Sequence, residues 1–270
     1  MCTGQPAACF QGLAFGDGCR IQSLLVGADG TPGQGLDVDR NPATCKPDGT
    51  HSDGTPLCSG GIDNQLSLIA EVLNPELDKQ LLRGWLHLLV DLRDPGPAPF
   101  RMSFFLGRVP PGSPACDFTG PGCDFQANAS QFDADCNPLY AFDNAVLQGP
   151  DLSAGGPGSQ ISLSIPLVGS TVVTLTLYDA RLQATASLLG GVVTGIDGVL
   201  GGALRKAELF AALAQVPDAE LPMPKDQIYT LLNLLLKPDI DLDGDGARES
   251  ISMGLRIRAD RAGIVGVFLP

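Results

Sequence analysis

Between Leu86 and Leu106 the chain twice places apolar side chains at every second position, and this pattern constrains the fold more than any other feature. Leu86, Leu88, Val90 and Leu92 share one face of an extended segment that also carries Trp85 and His87. Asp94-Pro95-Gly96-Pro97-Ala98-Pro99 turns the chain, and Phe100, Met102, Phe104 and Leu106 alternate again. Successive side chains of a strand point to opposite faces, so the two runs form an antiparallel pair with one buried side. The same reading predicts strands at 140–147, 160–167, 171–178, 180–187, 192–200 and 250–258. Ile161, Leu163 and Ile165 oppose Ser162 and Ser164, while Val173, Leu175 and Leu177 alternate with Thr174 and Thr176. One face of the sheet is apolar and the other hydroxyl-rich.

Helical spacing occurs in three places. Leu66, Ile69 and Leu73, then Leu77, Leu81 and Leu82, predict two short helices separated at Asn74-Pro75. Leu209, Ala212, Leu213 and Val216 mark a helix over 204–215 that stops at Pro217. Ile228, Leu231, Leu232 and Leu235 mark another over 224–236, opened by Pro224 and closed before Lys237-Pro238. Each has one apolar stripe, which places it on the sheet.

The expected architecture is α+β and mainly antiparallel β, a curved sheet or sandwich with two to four short amphipathic helices packed on it. A Gly/Pro/Cys-rich segment, 1–61, leads into a single α+β domain, 62–270, that contains a Cys-rich loop at 109–138. With 34 Gly and 22 Pro among 270 residues, turns and short strands are favoured over long helices.

All eight cysteines lie in the first half of the chain, and no two have the Cys-x-x-Cys spacing of a zinc ribbon. Disulfides are therefore expected, and with them an oxidising compartment, extracellular or in the cell envelope. Proximity favours Cys45 with Cys58 and a pairing among Cys116, Cys123 and Cys136. No segment is apolar for the ~18 residues of a membrane span. Cys2, close to the start, resembles the lipid-bearing first residue of mature bacterial lipoproteins; acylation there would leave one of the other seven cysteines unpaired. A net charge of −13 with only 17 Lys and Arg excludes nucleic acid and anionic membrane surfaces as partners.

The strongest functional signal is the run from Asp239 to Glu249, with four Asp and one Glu and only Arg248 as a cation. Hard oxygens at alternating positions followed by glycine suit Ca²⁺, which takes 6 to 8 oxygen ligands. Counting from Asp241, positions one, three and five are Asp241, Asp243 and Asp245, Gly246 makes the turn, Ala247 offers its carbonyl and Glu249 closes the set. Asp239 stands just outside this count and completes the expected ligand group. An EF-hand needs a bidentate Glu at position twelve, where this chain has Ser252, or Ser250 if the count starts at Asp239. The loop resembles the Asp-x-Asp-x-Asp-Gly calcium loops of integrin-type repeats, over Asp241 to Glu249 and in one copy. That resemblance implies the metal site and not the propeller. A structural ion joining the last helix to the last strand is favoured over a sensor. Asp37, Asp39 and Asn41 form a second candidate that lacks the following glycine.

Catalytic signatures are sparse. His51 and His87 are the only histidines, and no nucleophile elbow, zinc-protease or phosphate-loop motif occurs. No catalytic residue is nominated. Gly61-Ile62-Asp63-Asn64, a β-rich middle and a late Asp/Gly loop together resemble uncharacterised secreted bacterial proteins and predicted lipoproteins, over 61–70 and 192–260. Gly195-Ile196-Asp197-Gly198 is taken as a chance likeness to the first of these segments. The expected function is a calcium-stabilised extracellular or cell-envelope structural or binding protein, with a cell-surface or self-assembly partner. The alternatives are a carrier of an apolar, lipid-like ligand and a hydrolase using paired carboxylates.

Overall fold

The computed structural model describes residues 7–84, 86–114, 116–118, 122–166, 172–221 and 223–269. Cys2 and Trp85 lie outside the described residues. In chain order the strands are β1 (Asp17–Val26), β2 (Leu88–Arg93), β3 (Phe100–Arg108), β4 (Asp124–Asn128), β5 (Ala141–Gln148), β6 (Asp151–Gly155), β7 (Gln160–Pro166), β8 (Val172–Leu189), β9 (Val192–Arg205), β10 (Ser250–Arg261) and β11 (Gly263–Phe268). The helices are α1 (Ala7–Phe10), α2 (Ala70–Leu82), α3 (Lys206–Gln215) and α4 (Lys225–Leu235).

Eight antiparallel strands, in the order β1-β10-β9-β8-β6-β5-β3-β2, close on themselves as a barrel. This corrects the expected curved sheet or sandwich. Pairing of Phe100 with Ala145 and of Met102 with Phe142 joins β3 to β5, and β1 fills the place between β2 and β10. The stretch 1–61, expected as a coil-like lead, thus contributes a central stave.

An eight-stranded barrel is just wide enough to be filled by its own side chains. Here Ile21, Leu24, Val90, Leu92, Met102, Phe104, Phe142, Leu152, Leu182, Ile196, Leu200, Met253 and Leu255 belong to one buried cluster. Small residues make room where large ones converge. A Cβ on Gly198 would lie 2.3 Å from the Gln183 carbonyl oxygen and 2.4 Å from the Ala184 Cβ.

The chain passes from β9 directly into α3, from α4 by a loop into β10, and from α2 towards β2, so the three longer helices attach at one end of the barrel. Leu209, Leu213, Ile228 and Leu235 pack against the core from that end, whereas Leu231 is 40% exposed. Pro75 does not split α2, contrary to the sequence expectation. β2 pairs only with Asp17–Arg20, which leaves the far half of β1 with a bare edge. The Asn74 side chain substitutes for a strand there, accepting from the Val26 N–H at 2.7 Å and donating to its carbonyl at 2.9 Å. With Leu77 and Leu81 buried beside it, this docking outweighs the ~3 kcal/mol cost of a helical proline.

A second, smaller core covers the outer face of β2 and β3. Leu89, Phe105, Phe125, Ala127, Phe132 and Ala262 are buried there, with Phe10, Phe15 and Phe118 packed against them. The disulfides Cys9–Cys136 and Cys116–Cys123 bind this layer, and Cys45–Cys58 closes the loop after β1. The expected Cys45–Cys58 pair is present, while Cys136 is taken by Cys9. Within the segment expected as a Cys-rich loop, β4 pairs with β3 and β11. Ser162 and Thr176, on the expected hydroxyl-rich face, are register partners with their hydroxyls 3.0 Å apart.

Candidate metal centre

The connection from α4 to β10 is pinched shut before it carries any acidic group outward. Ile240 and Ser250 exchange backbone hydrogen bonds at 3.0 and 3.1 Å, and the Glu249 N–H reaches the Ile240 carbonyl at 3.2 Å. Ile240 is buried, so the neck of the loop is anchored and Asp241 to Arg248 form its tip.

The tip is organised by carboxylates accepting from its own backbone. Asp241 accepts from the N–H groups of Gly244 and Gly246 at 2.8 and 2.9 Å, and these bonds hold its carboxyl below the usual range. Asp243 accepts from Asp245, and Asp245 from Ala247. Glu249 Oε1 accepts from the Leu242 N–H and the Ser250 hydroxyl, both at 3.1 Å. Gly244 and Gly246 have φ of 75° and 92°, the left-handed region where a side chain would be strained. The result is a curl whose carboxylates face one another.

Asp241, Asp243 and Glu249 each place one oxygen within 4.8 Å of the others. Of the six expected ligands the structure gathers these three. Asp245 stands outside the triad, and Ala247 contributes its N–H to Asp245. Asp239 turns inward: it is buried, and its two oxygens accept from the N–H and hydroxyl of Ser252. Burial pushes its carboxyl up to about 6 against those bonds. Ser252, at the position where an EF-hand carries its closing Glu, is a buried residue of β10 that also accepts from the Gln65 N–H.

A second acidic group lies nearby. Asp37, Asp39 and Asp63 also hold one oxygen each within 4.8 Å of one another. Asn41, expected in this set, uses its side chain to accept from the Ala43 N–H. Its place in the group belongs to Asp63, which is distant in sequence. Asp63 and Asn64 give the Gly61-Ile62-Asp63-Asn64 segment a structural meaning. Asp63 Oδ2 accepts from the N–H groups of Val38 and Asp39 at 3.0 and 3.1 Å. Asn64, with no exposure, donates to the carbonyls of Gly27, Asp29 and Gln34 and accepts from the Gly254 N–H. The similar Gly195-Ile196-Asp197-Gly198 lies inside β9 and makes no such junction.

Both acidic groups reach one depression of about 390 Å³, lined by Val38, Asp39, Arg40, Asp179, Asp239 to Gly244, and Arg248. Arg40 pairs with Asp179 across it, and both have left-handed backbones, with φ of 60° and 50°. Neither histidine is there. His51 lies 3.7 Å from Asp29, and His87 is sealed between Phe118 and Phe125. Comparison with family models, curated proteins and solved structures gives no match.

Proposed function

We propose that this chain is a calcium-stabilised extracellular or cell-envelope protein with a structural or binding role, and that the ion seats on Asp241, Asp243 and Glu249. The carrying observation is the convergence of these three carboxylates on a backbone curl whose neck is fixed to β10. Oxygens up to 4.8 Å apart match ligands on opposite sides of a cation held at 2.3–2.6 Å, the range calcium prefers. An ion there staples the connection that leads from α4 into the barrel wall.

The compartment is supported by three disulfides. No helix among the described residues is long and apolar enough to cross a membrane. The barrel is apolar inside, while Arg256 and Arg258 on β10 are exposed, the reverse of an outer-membrane barrel. Among the described residues the disulfides take six cysteines, and Cys19 is free but buried. The carrier alternative has no such support. The space among Ile21, Leu24, Leu88, Phe104 and Leu200 is about 10 Å³, too small for an apolar ligand.

The test is thermal unfolding with millimolar calcium, with a chelator, and in Asp243→Ala. Chelation is expected to lower the melting temperature, and Asp243→Ala to lower it in the presence of calcium. Unchanged melting in both arms would overturn the reading.

A further inference from the structure

The acidic group formed by Asp37, Asp39 and Asp63 is built from a different part of the chain than the loop before β10, and it has a feature that loop lacks. Asp63 is 1% exposed, yet its Oδ1 has no hydrogen-bond partner, and Oδ1 of Asp37 is likewise buried and unpartnered. A carboxylate oxygen withdrawn from water needs a donor or a cation. The neighbouring cations are committed elsewhere. Arg40 pairs with Asp179, Lys46 with Asp48, and Arg181 donates to the main-chain carbonyl of Asp37, not to its carboxylate. Among the described residues no ion pair reaches the three carboxylates.

We propose that Asp37, Asp39 and Asp63 form a second calcium site, independent of the Asp241–Asp243–Glu249 loop, at the junction where the segment after β1 meets the Gly61–Asn64 turn. The donor set is all oxygen and anionic, which selects a hard divalent cation over zinc or copper. Its three oxygens, all within 4.8 Å of one another, fit around one calcium ion. The backbone fixes the ligands in advance. Asp63 Oδ2 is held by the amides of Val38 and Asp39, and Asp39 accepts from the Asn41 N–H and the Thr44 hydroxyl. Leu36 and Lys46 both bridge to Asp63 through backbone pairing. The cation neutralises three facing carboxylates and occupies the side on which Asp63 is left without a partner.

Calcium titration of the full chain by isothermal calorimetry separates this site from the loop. The parent is expected to bind two calcium ions, Asp243→Asn one, Asp37→Asn one, and the double variant none, with each single substitution weakening its own site about tenfold or more. Asp63→Asn keeps an acceptor for the two amides and should match Asp37→Asn. If it fails to fold, Asp37→Asn decides, because the main-chain bond from Arg181 does not depend on that side chain. One equivalent lost on Asp37→Asn and none on Asp243→Asn would keep this site and remove the loop site. An unchanged stoichiometry in Asp37→Asn would overturn the proposal, since a carboxyl that holds a proton in place of a cation binds no calcium to lose.

Discussion

His87 makes the stability of the outer core depend on acid in a way that can be worked out from its contacts. Its Nδ1 accepts from Arg20 Nε at 3.2 Å, so the ring must be neutral to hold the bond. Arg20 is 2% exposed, and its guanidinium also donates to Gln22, to the Phe118 carbonyl and to the Leu81 carbonyl. Burial first, and then the charge of Arg20, push His87 from its ordinary 6.5 down to about 4. Above the unfolded value both states are neutral and the group contributes nothing to pH dependence. As pH falls from 6.5 towards 4 the unfolded chain takes up a proton that the folded one refuses, so stability falls and then levels off. At about 1.4 kcal/mol per tenfold change in proton affinity, the loss reaches about 2.5 kcal/mol at about pH 4.5. The parent profile alone will not display it. Asp63 and Asp239 are pushed up, to about 7 and about 6, and carboxyls raised in the folded state add stability as pH falls through the same window. The informative quantity is the difference between the parent and His87→Gln, which retains an acceptor for Arg20. Melting followed by circular dichroism at about pH 7.5 and about pH 4.5, in chelator, should show the parent dropping roughly 5–10 °C more than the variant. Parallel curves, or an imidazole that titrates near 6.5 by NMR, would refute the reasoning.

The other expectations rest on single sites. With about 1 mM calcium and extracellular-type affinities of ~10⁻⁴ to 10⁻³ M, Asp243→Ala should remove about 0.4–1.4 kcal/mol, read as a lower denaturation midpoint. Asn64→Ala strands three carbonyls and the Gly254 N–H, and should cost on the order of 3 kcal/mol or more in urea unfolding. Loss below about 1 kcal/mol would show that water replaces the amide. Gly198→Val must displace the Gln183 and Ala184 backbone, and should lower stability by about 1–3 kcal/mol or more without altering calcium binding.

Strand content and the helices after β9 were legible because their periodicities are clean over many residues. β1 was not. Its buried residues Cys19 and Ile21 fall on odd positions and Leu24 and Val26 on even ones, because a bulge at Gln22 shifts the phase. With that strand hidden, the remaining ones read as an open sheet. Asn74-Pro75 misled for the complementary reason, since the contact that keeps α2 continuous is made to Val26, far away in sequence. The acidic loop was legible where its carboxylates are local, as with Asp241, Asp243 and Glu249, which the fold brings together. Asp239 is drawn inward by Ser252, a neighbour only after β10 folds back, and Asp63 meets Asp37 and Asp39 only in the folded chain. Alternating oxygens in sequence reveal a loop; a site assembled across turns leaves no such trace.

The place of β1 between β2 and β10 also governs how the protein is made. During synthesis β10, one of the two neighbours of β1, emerges long after it, so the barrel cannot close until β10 has appeared. Until then an unpaired edge and the thiol of Cys19 are open. Closure ends that exposure: burial pushes the thiol up to about 12, and it becomes inert. An oxidant that meets the chain before β10 is in place should therefore capture Cys19 in a bond that the closed barrel excludes.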